Sequence, residues 1–210
     1  MAIIGAKYVV YAPITERKYG IRPTYGTGKV LAKLTKVDVN ITNTNTKLYA
    51  DDATAEVDHS FTSGTVAVGL DDLTNEAQKG ILGNKEETED TVKVLTKAAN
   101  DEPPHVGLGY MRSRKRNGVK SWEANIFLDV MFQEPNTSSN TMGENIEFQT
   151  PELTADIMTV EGYNGGAYQE IAEFSTENAA KAWIDTKLNV SEVSTASYVP
   201  YALTTSEEDE

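Results

Sequence analysis

The chain of 210 residues contains no cysteine and only two histidines. Without cysteine there is no disulfide and no thiolate nucleophile, and a zinc site would lack its commonest soft ligand. The histidines, His59 and His105, lie far apart in the sequence and form no His-x-x-His spacing. We therefore predict no metal site and no cofactor, and we interpret both histidines as structural or surface residues.

Positive charge is also scarce, because 19 lysines and arginines face 32 acidic residues and the net charge is −13. A general nucleic-acid-binding protein needs an extended basic surface, so this class is excluded. A surface past which nucleic acid slides without binding remains compatible with the composition.

Long apolar runs are absent as well. No stretch approaches the roughly 20 residues of a membrane helix, so no membrane contact is predicted. The N-terminal apolar residues are interrupted by Lys7, and they lack the basic start and apolar run of a signal peptide.

Two glycine-containing stretches resemble nucleotide-binding motifs only in part. In the stretch GTGK at 26–29, Pro23 stands where a phosphate loop has its first glycine, and Val30 replaces the magnesium-binding hydroxyl. In the stretch GLG at 107–109, Arg112 replaces the third glycine of a dinucleotide fingerprint, and a hairpin turn follows where a helix is needed. Neither stretch therefore predicts a nucleotide site.

Acidic residues cluster at 51–52, 71–72 and 86–90. None of these clusters has the spacing of an EF-hand loop, and we interpret them as solvated loops and helix caps. No nucleophile elbow and no catalytic constellation is present, so we predict that the protein is not an enzyme.

The strongest structural signal is a long hairpin between residues 106 and 134. An Asn117-Gly118 pair, which favours a type I′ turn, separates the strand-like run 106–111 from a second strand. Every second residue of that second strand is apolar, which is typical of a strand with one buried face. The predicted face consists of Trp122, Ala124, Ile126, Leu128, Val130 and Phe132.

The opposite face of this strand begins with polar residues and then mixes in Phe127 and Met131, so we expect a second layer over it. Either a helix of the same chain or a neighbouring subunit satisfies the pattern. The hairpin tip concentrates positive charge in an otherwise acidic chain, and we predict that it contacts acidic residues of a second copy, at 86–90 or 207–210; a solvated loop is the alternative. The candidate subunit contacts are Arg112, Arg114, Lys115, Arg116, Lys120, Phe127 and Met131.

Elsewhere the pattern favours many short strands. They are predicted at 8–11, 29–42, 47–49, 53–61, 65–70, 91–96, 145–150 and 156–160, with an acidic loop at 84–90. The fold class is therefore mainly β, a sandwich or barrel with a flanking helix and a second helix near the C-terminus.

The two predicted helices lie near 73–82 and 176–188. The first has an apolar stripe, Asp71 or Asp72 as its cap and Gly83 after its end. The second is capped by Ser175 and carries one apolar face, formed by Ala180, Trp183, Ile184 and Leu188. We expect one β-domain over residues 1–189 and an acidic, flexible C-terminal tail over 190–210.

The order of these features resembles the major tail protein of long-tailed bacteriophages, the tail tube subunit common in phages of Gram-positive hosts. The resemblance covers about residues 1–160. It is carried by an opening strand that ends in YAP, by GLDDLTNEAQKGILGNK and by the run from Val106 to Thr154, which holds PPHVGLGYMRSRKRNGVKSWEANIFLDVMFQEP without its first three residues and most of TMGENIEFQTPELTADIM.

The resemblance implies a β-sandwich or barrel-like tail tube fold. It also implies hexameric rings that stack into a tube in the phage tail, assembled in the host cytoplasm, through which DNA passes without specific binding. The implied partners are the protein itself and the tape measure, terminator and distal tail proteins. Other virion parts (a tail terminator, a decoration protein or the tube of a contractile system) and a carbohydrate-binding β-domain are the alternatives.

Overall fold

The computed structural model describes residues 2–50, 53–89, 92–136 and 150–191. The described chain is mainly β, as predicted, and it has two helices, one of them near the C-terminus. The strands are β1 (Ala2–Glu16), β2 (Thr24–Tyr25), β3 (Lys29–Ala32), β4 (Leu34–Asn43), β5 (Thr46–Ala50), β6 (Ala53–Asp58), β7 (Phe61–Leu70), β8 (Lys85–Glu89), β9 (Val92–Thr96), β10 (His105–Arg116), β11 (Val119–Phe132), β12 (Glu152–Ile157) and β13 (Gln169–Phe174). The helices are α1 (Asn75–Leu82) and α2 (Glu177–Lys187).

Nine of these strands form one antiparallel sheet in the order β2-β1-β10-β11-β12-β7-β4, in which β3 also pairs with β1 and β13 with β11. Only Lys33 separates β3 from β4, so the chain passes directly from one end of the sheet to the other. The sheet must therefore curl into two layers, which is consistent with a β-sandwich, although no sheet of the described residues is closed. The hairpins β5–β6 and β8–β9 stand apart as two-stranded sheets.

The predicted central hairpin is confirmed, and its strands β10 and β11 lie in the middle of the sheet. Asn117 and Gly118 form its turn with φ angles of 49° and 83°, the left-handed conformation that the Asn-Gly pair favours. The two-residue turn fixes the pairing of the strands, so that Arg112 lies opposite Glu123 and Lys115 opposite Lys120.

The prediction that six alternate residues of β11 share one face is wrong. Leu108 pairs with Phe127 but Val106 pairs with Val130, so β11 contains one additional residue at a bulge. A bulge moves every later side chain to the opposite face of the sheet. Trp122, Ala124, Ile126 and Leu128 consequently lie in one core cluster, whereas Val130 and Phe132 join Phe127 in another.

The two core clusters occupy opposite faces of the central strands. The first lies between the sheet layers and includes Ala77, Ile81 and Leu82 of α1. The second lies beneath α2, which contributes Ala180, Ile184 and the adjoining Leu188. Residues 9–12 of β1 alternate between the two clusters and all are buried, which shows that both faces of the middle strands are covered.

Helix α2 packs closely on β10 because two glycines leave room for it. A Cβ atom on Gly109 would lie 2.7 Å from Ile184 Cγ2, and one on Gly107 would lie 2.8 Å from Leu188 Cδ2. Gly28 is equally restricted, since its Cβ would lie 2.5 Å from the carbonyl oxygen of Leu188. Both glycine stretches that resemble nucleotide motifs therefore contact the end of the same helix.

Helix α1 begins one residue after the expected acidic cap. Thr74, and not Asp71 or Asp72, is the N-cap, and its hydroxyl accepts a hydrogen bond from the Ala77 amide at 3.2 Å. Gly83 ends the helix with a φ of 76°, as predicted. Helix α2 is similarly capped by Thr176 in place of Ser175.

Several strand predictions need correction. The first strand extends over Ala2–Glu16, the predicted acidic loop at 84–90 contains β8, the strand expected at 156–160 is Glu152–Ile157, and β13 was not predicted. Residues 29–42 form two strands, β3 and β4. The strand expected at 145–150 falls almost wholly outside the described residues, and so does the tail beyond residue 191.

Candidate assembly surfaces

The cationic side chains of the central hairpin divide into two groups. Arg112 and Arg114 both form ion pairs with Glu123, whose side chain is 2% exposed. Asn125 donates a further hydrogen bond to Glu123 Oε1 at 3.0 Å, and Gln169 donates to Asn125. The two arginines thus neutralise a buried carboxylate within the chain.

The second group lies at the turn. Lys115, Arg116 and Lys120 are exposed, and none of them has an ion pair with the described residues. The ammonium of Lys120 lies 4.5 Å from the centre of the Trp122 ring. Val119 between them is 70% exposed. We call residues 115–120 the hairpin tip; of the five predicted cationic contacts, only the three in the tip are available to a partner.

The apolar contact candidates also separate. Phe127 is fully buried in the first core cluster, where its ring lies 6.3 Å from that of Tyr110. Its neighbours belong to this chain, so Phe127 is not available as a subunit contact. Met131 is half-buried and pairs with Asp156 of β12.

Two strand edges of the large sheet lack a second neighbour among the described strands. Strand β4 pairs only with β7, and it exposes Val39 and Ile41 by 37% and 36%. At the other end of the sheet, residues 2–7 of β1 pair only with β10, and Ile3 and Ile4 are 55% and 58% exposed. Unpaired backbone groups beside exposed aliphatic side chains favour pairing with another strand.

One face of strands β12, β7 and β4 carries no helix in the described chain, because α1 packs in the first cluster and α2 in the second. The strand pairing places three residues of each strand side by side on this face. We call it the polar face; it consists of Lys36, Asp38, Asn40, Thr65, Ala67, Gly69, Glu152, Thr154 and Asp156.

The polar face is acidic and free of large side chains. Lys36 is its one cation, and its ammonium lies 2.7 Å from Glu152 and 3.4 Å from Asp38. The hydrogen bond to Glu152 raises the pKa of Lys36. Asp156 accepts a hydrogen bond from Gln133 at 2.9 Å. The face therefore presents an excess of negative charge and short polar groups to whatever lies against it.

The bulge of β11 places another carboxylate, that of Asp129, in a buried position. Arg17 lies 2.6 Å from its Oδ2 and His105 Nδ1 lies 2.9 Å from its Oδ1. These contacts fix the end of β1 and the start of β10 to the bulge. His105 is thus a partner of a buried acid, whereas His59 is exposed.

A tyrosine links the second helix to the sheet. The hydroxyl of Tyr8 donates a hydrogen bond to Asp185 of α2, and burial and this carboxylate raise the pKa of Tyr8. Tyr8 itself has a positive φ of 60° at a bulge of β1. The strained backbone at this point turns the ring toward the helix.

Within the described ranges, no group of three or more potential ligand residues could hold a metal ion. No described helix is long and apolar enough to cross a membrane. Comparison with protein-family models gives no match, and no curated protein matches the chain. The surfaces described above are therefore the basis for a functional proposal.

Proposed function

We propose that this chain is a structural subunit of a phage tail tube, which assembles head to tail into rings that stack around a DNA channel. In the family that the sequence resembles, the rings contain six subunits. The partners would be further copies of the chain and the other tail proteins, and the location would be the virion.

The observation that carries this proposal is the pair of open edges at opposite ends of one sheet. An edge at each end allows β4 of one copy to pair with residues 2–7 of the next, which is a heterologous contact that can close into a ring. The charges of β4 do not protect its edge, because Lys36 and Asp38 pair with each other and with Glu152 on the polar face. Strand β4 contains no proline.

The polar face supports a role as the wall of the channel. Continuing the sheet from copy to copy would join the polar faces into one surface. Its carboxylates repel phosphate groups, and it offers no lysine or arginine free of a neighbouring carboxylate, so DNA would slide along it without binding. The overall charge of −13 acts in the same direction.

The proposal is tested by negative-stain electron microscopy and sedimentation velocity of the purified protein over a range of concentrations. The expected result is long tubes of constant diameter. Single rings that do not stack would indicate a terminator, and a protein that stays monomeric at millimolar concentration would contradict the proposal.

Two variants with one added lysine each test the edges. Val39→Lys and Ile3→Lys place a charge at opposite ends of the sheet, and each should prevent ring closure, since lysine on an edge strand disfavours pairing. Ile21→Lys is the matched control, because Ile21 is also exposed, by 57%, but lies in a loop. Its tubes should be normal, and thermal melting must show that all three variants fold.

A further inference from the structure

The ends of the central hairpin carry opposite charge. Strand β10 has 12 residues, so the tip lies about 40 Å from the start of β10 at the strand rise of roughly 3.4 Å per residue. The tip contains three cations and no acidic residue. The segment that leads into β10, residues 85–104, contains six acidic residues and three lysines.

The acidic segment is attached at the end opposite to the tip. Loop 97–104 leads directly into His105, and Lys97 at the end of β9 forms an ion pair with Glu134, just after β11. A Cβ atom on Gly83 would lie 2.5 Å from the carbonyl oxygen of Glu102, so the loop also packs on the end of α1. The β8–β9 hairpin therefore projects from the base of the central hairpin.

Charged groups on both surfaces lack partners in their own chain. Lys115 and Arg116 form no ion pair with the described residues, and Glu87 of β8 is exposed and likewise has none there. Each surface also exposes a valine, Val119 at the tip by 70% and Val92 on β9 by 61%. The two surfaces thus match in charge and in apolar character.

We propose that the hairpin tip of one copy docks on the β8–β9 hairpin of a second copy in the next ring. The inference rests on the proposed function and adds the contact that sets the stacking direction. Because the complementary surfaces lie at opposite ends of each molecule, the contact repeats without limit along one axis. It also brings a local positive charge onto subunits that would otherwise repel one another.

The size of the effect follows from repetition. An exposed ion pair contributes less than about 1 kcal/mol, but every copy in a ring would make the same contact at once. Tube growth should therefore be sensitive to salt and to charge at the tip, while the folding of the monomer should not be.

The test uses charge reversal on each surface and a charge swap. Arg116→Glu and Glu87→Arg should each raise the protein concentration needed for tube growth about tenfold, which corresponds to about 1.4 kcal/mol. The double variant should restore growth toward that of the wild type, as coupled residues do in a double-mutant cycle. Lys79→Glu, at an exposed lysine of α1, is the control of equal charge change and should have no such effect.

The outcomes separate this inference from the proposed function. Wild-type tubes together with normal tubes from Arg116→Glu would overturn the docking contact and leave the tube proposal intact. Two weakened single variants that the swap does not restore would overturn the β8–β9 hairpin as the partner. A wild-type protein that never assembles would overturn the proposed function itself, and the contact with it.

Discussion

The central hairpin has two regions that use similar residues differently. Up to Arg114 and from Ser121 onward, its side chains are mostly buried or ion-paired within the chain. In the tip, three cations and Val119 are exposed and have no acidic partner in the described chain. Adjacent positions of one strand pair thus serve different purposes: the inner region holds the monomer together, and the tip is available to a partner.

The largest effect is expected from a charge in the core of the inner region. Ile126 is fully buried beneath α2, and aspartate there would be an unpaired charge in an apolar site. Ile126→Asp should give unfolded or insoluble protein, as judged by circular dichroism and solubility. The matched change in the tip, Val119→Asp, should melt like the wild type; a soluble, normally melting Ile126→Asp protein would show that the strand does not face the helix.

A smaller but still large effect is expected from the ion pairs of the inner region. Arg114→Glu would remove one partner of the buried Glu123 and add a like charge beside it, which should cost roughly 3–5 kcal/mol of unfolding free energy. Arg116→Glu, two residues along the same strand, should change it by less than about 0.5 kcal/mol. Denaturant titration of both variants measures the difference, and equal effects would remove the distinction between the regions.

The glycines beneath α2 should give an intermediate effect. A Cβ atom on Gly109 would overlap Ile184 and Leu188, so Gly109→Ala should destabilise the fold by about 1–3 kcal/mol. Gly5→Ala is the control, because a Cβ atom on Gly5 would have no atom within 4 Å and the φ of Gly5 is not positive. If urea unfolding shows equal stability for the two variants, the close packing of α2 on β10 is wrong.

The smallest effect concerns alkaline pH. Burial, together with Glu76, raises the pKa of Tyr11 from 10.0 to about 12. The native state therefore holds this proton more tightly than the unfolded state, so the stabilisation is complete below pH 10 and is lost as the pH rises from 10 toward 12. The loss is at most about 1.4 kcal/mol per pH unit.

Melting at about pH 9 to 11.5 measures this loss of stability. Tyr11→Phe should reduce the dependence on pH, whereas Tyr19→Phe should not, since Tyr19 is 78% exposed. An identical pH profile for Tyr11→Phe and the wild type would contradict the assignment.

The local features of the fold were predictable from the sequence. The Asn-Gly turn, the apolar stripes of both helices and Gly83 each reflect a local conformational preference. The turn even fixes the strand pairing, so that Arg112 opposite Glu123 was deducible by counting outward from Asn117. That count would have separated the internal arginines from the free cations of the tip.

Other features depend on tertiary contacts that no local pattern reveals. One additional residue at the bulge divides the alternating run of β11, and alternation alone does not show where a bulge lies. Strand β8 has the sequence KEETE, which has low strand propensity and forms its strand by pairing with β9. Which strand edges stay open follows only from the complete strand order.

A helical reconstruction by electron cryomicroscopy of the assembled protein tests the central claim most directly. We expect β4 of one copy to lie about 4.8 Å from residues 2–7 of the next copy, in one continuous sheet whose polar face lines the channel. The hairpin tip should contact the β8–β9 hairpin of the neighbouring ring. A map in which both strand edges remain unpaired, or in which the polar face lies on the outer surface, would contradict the account.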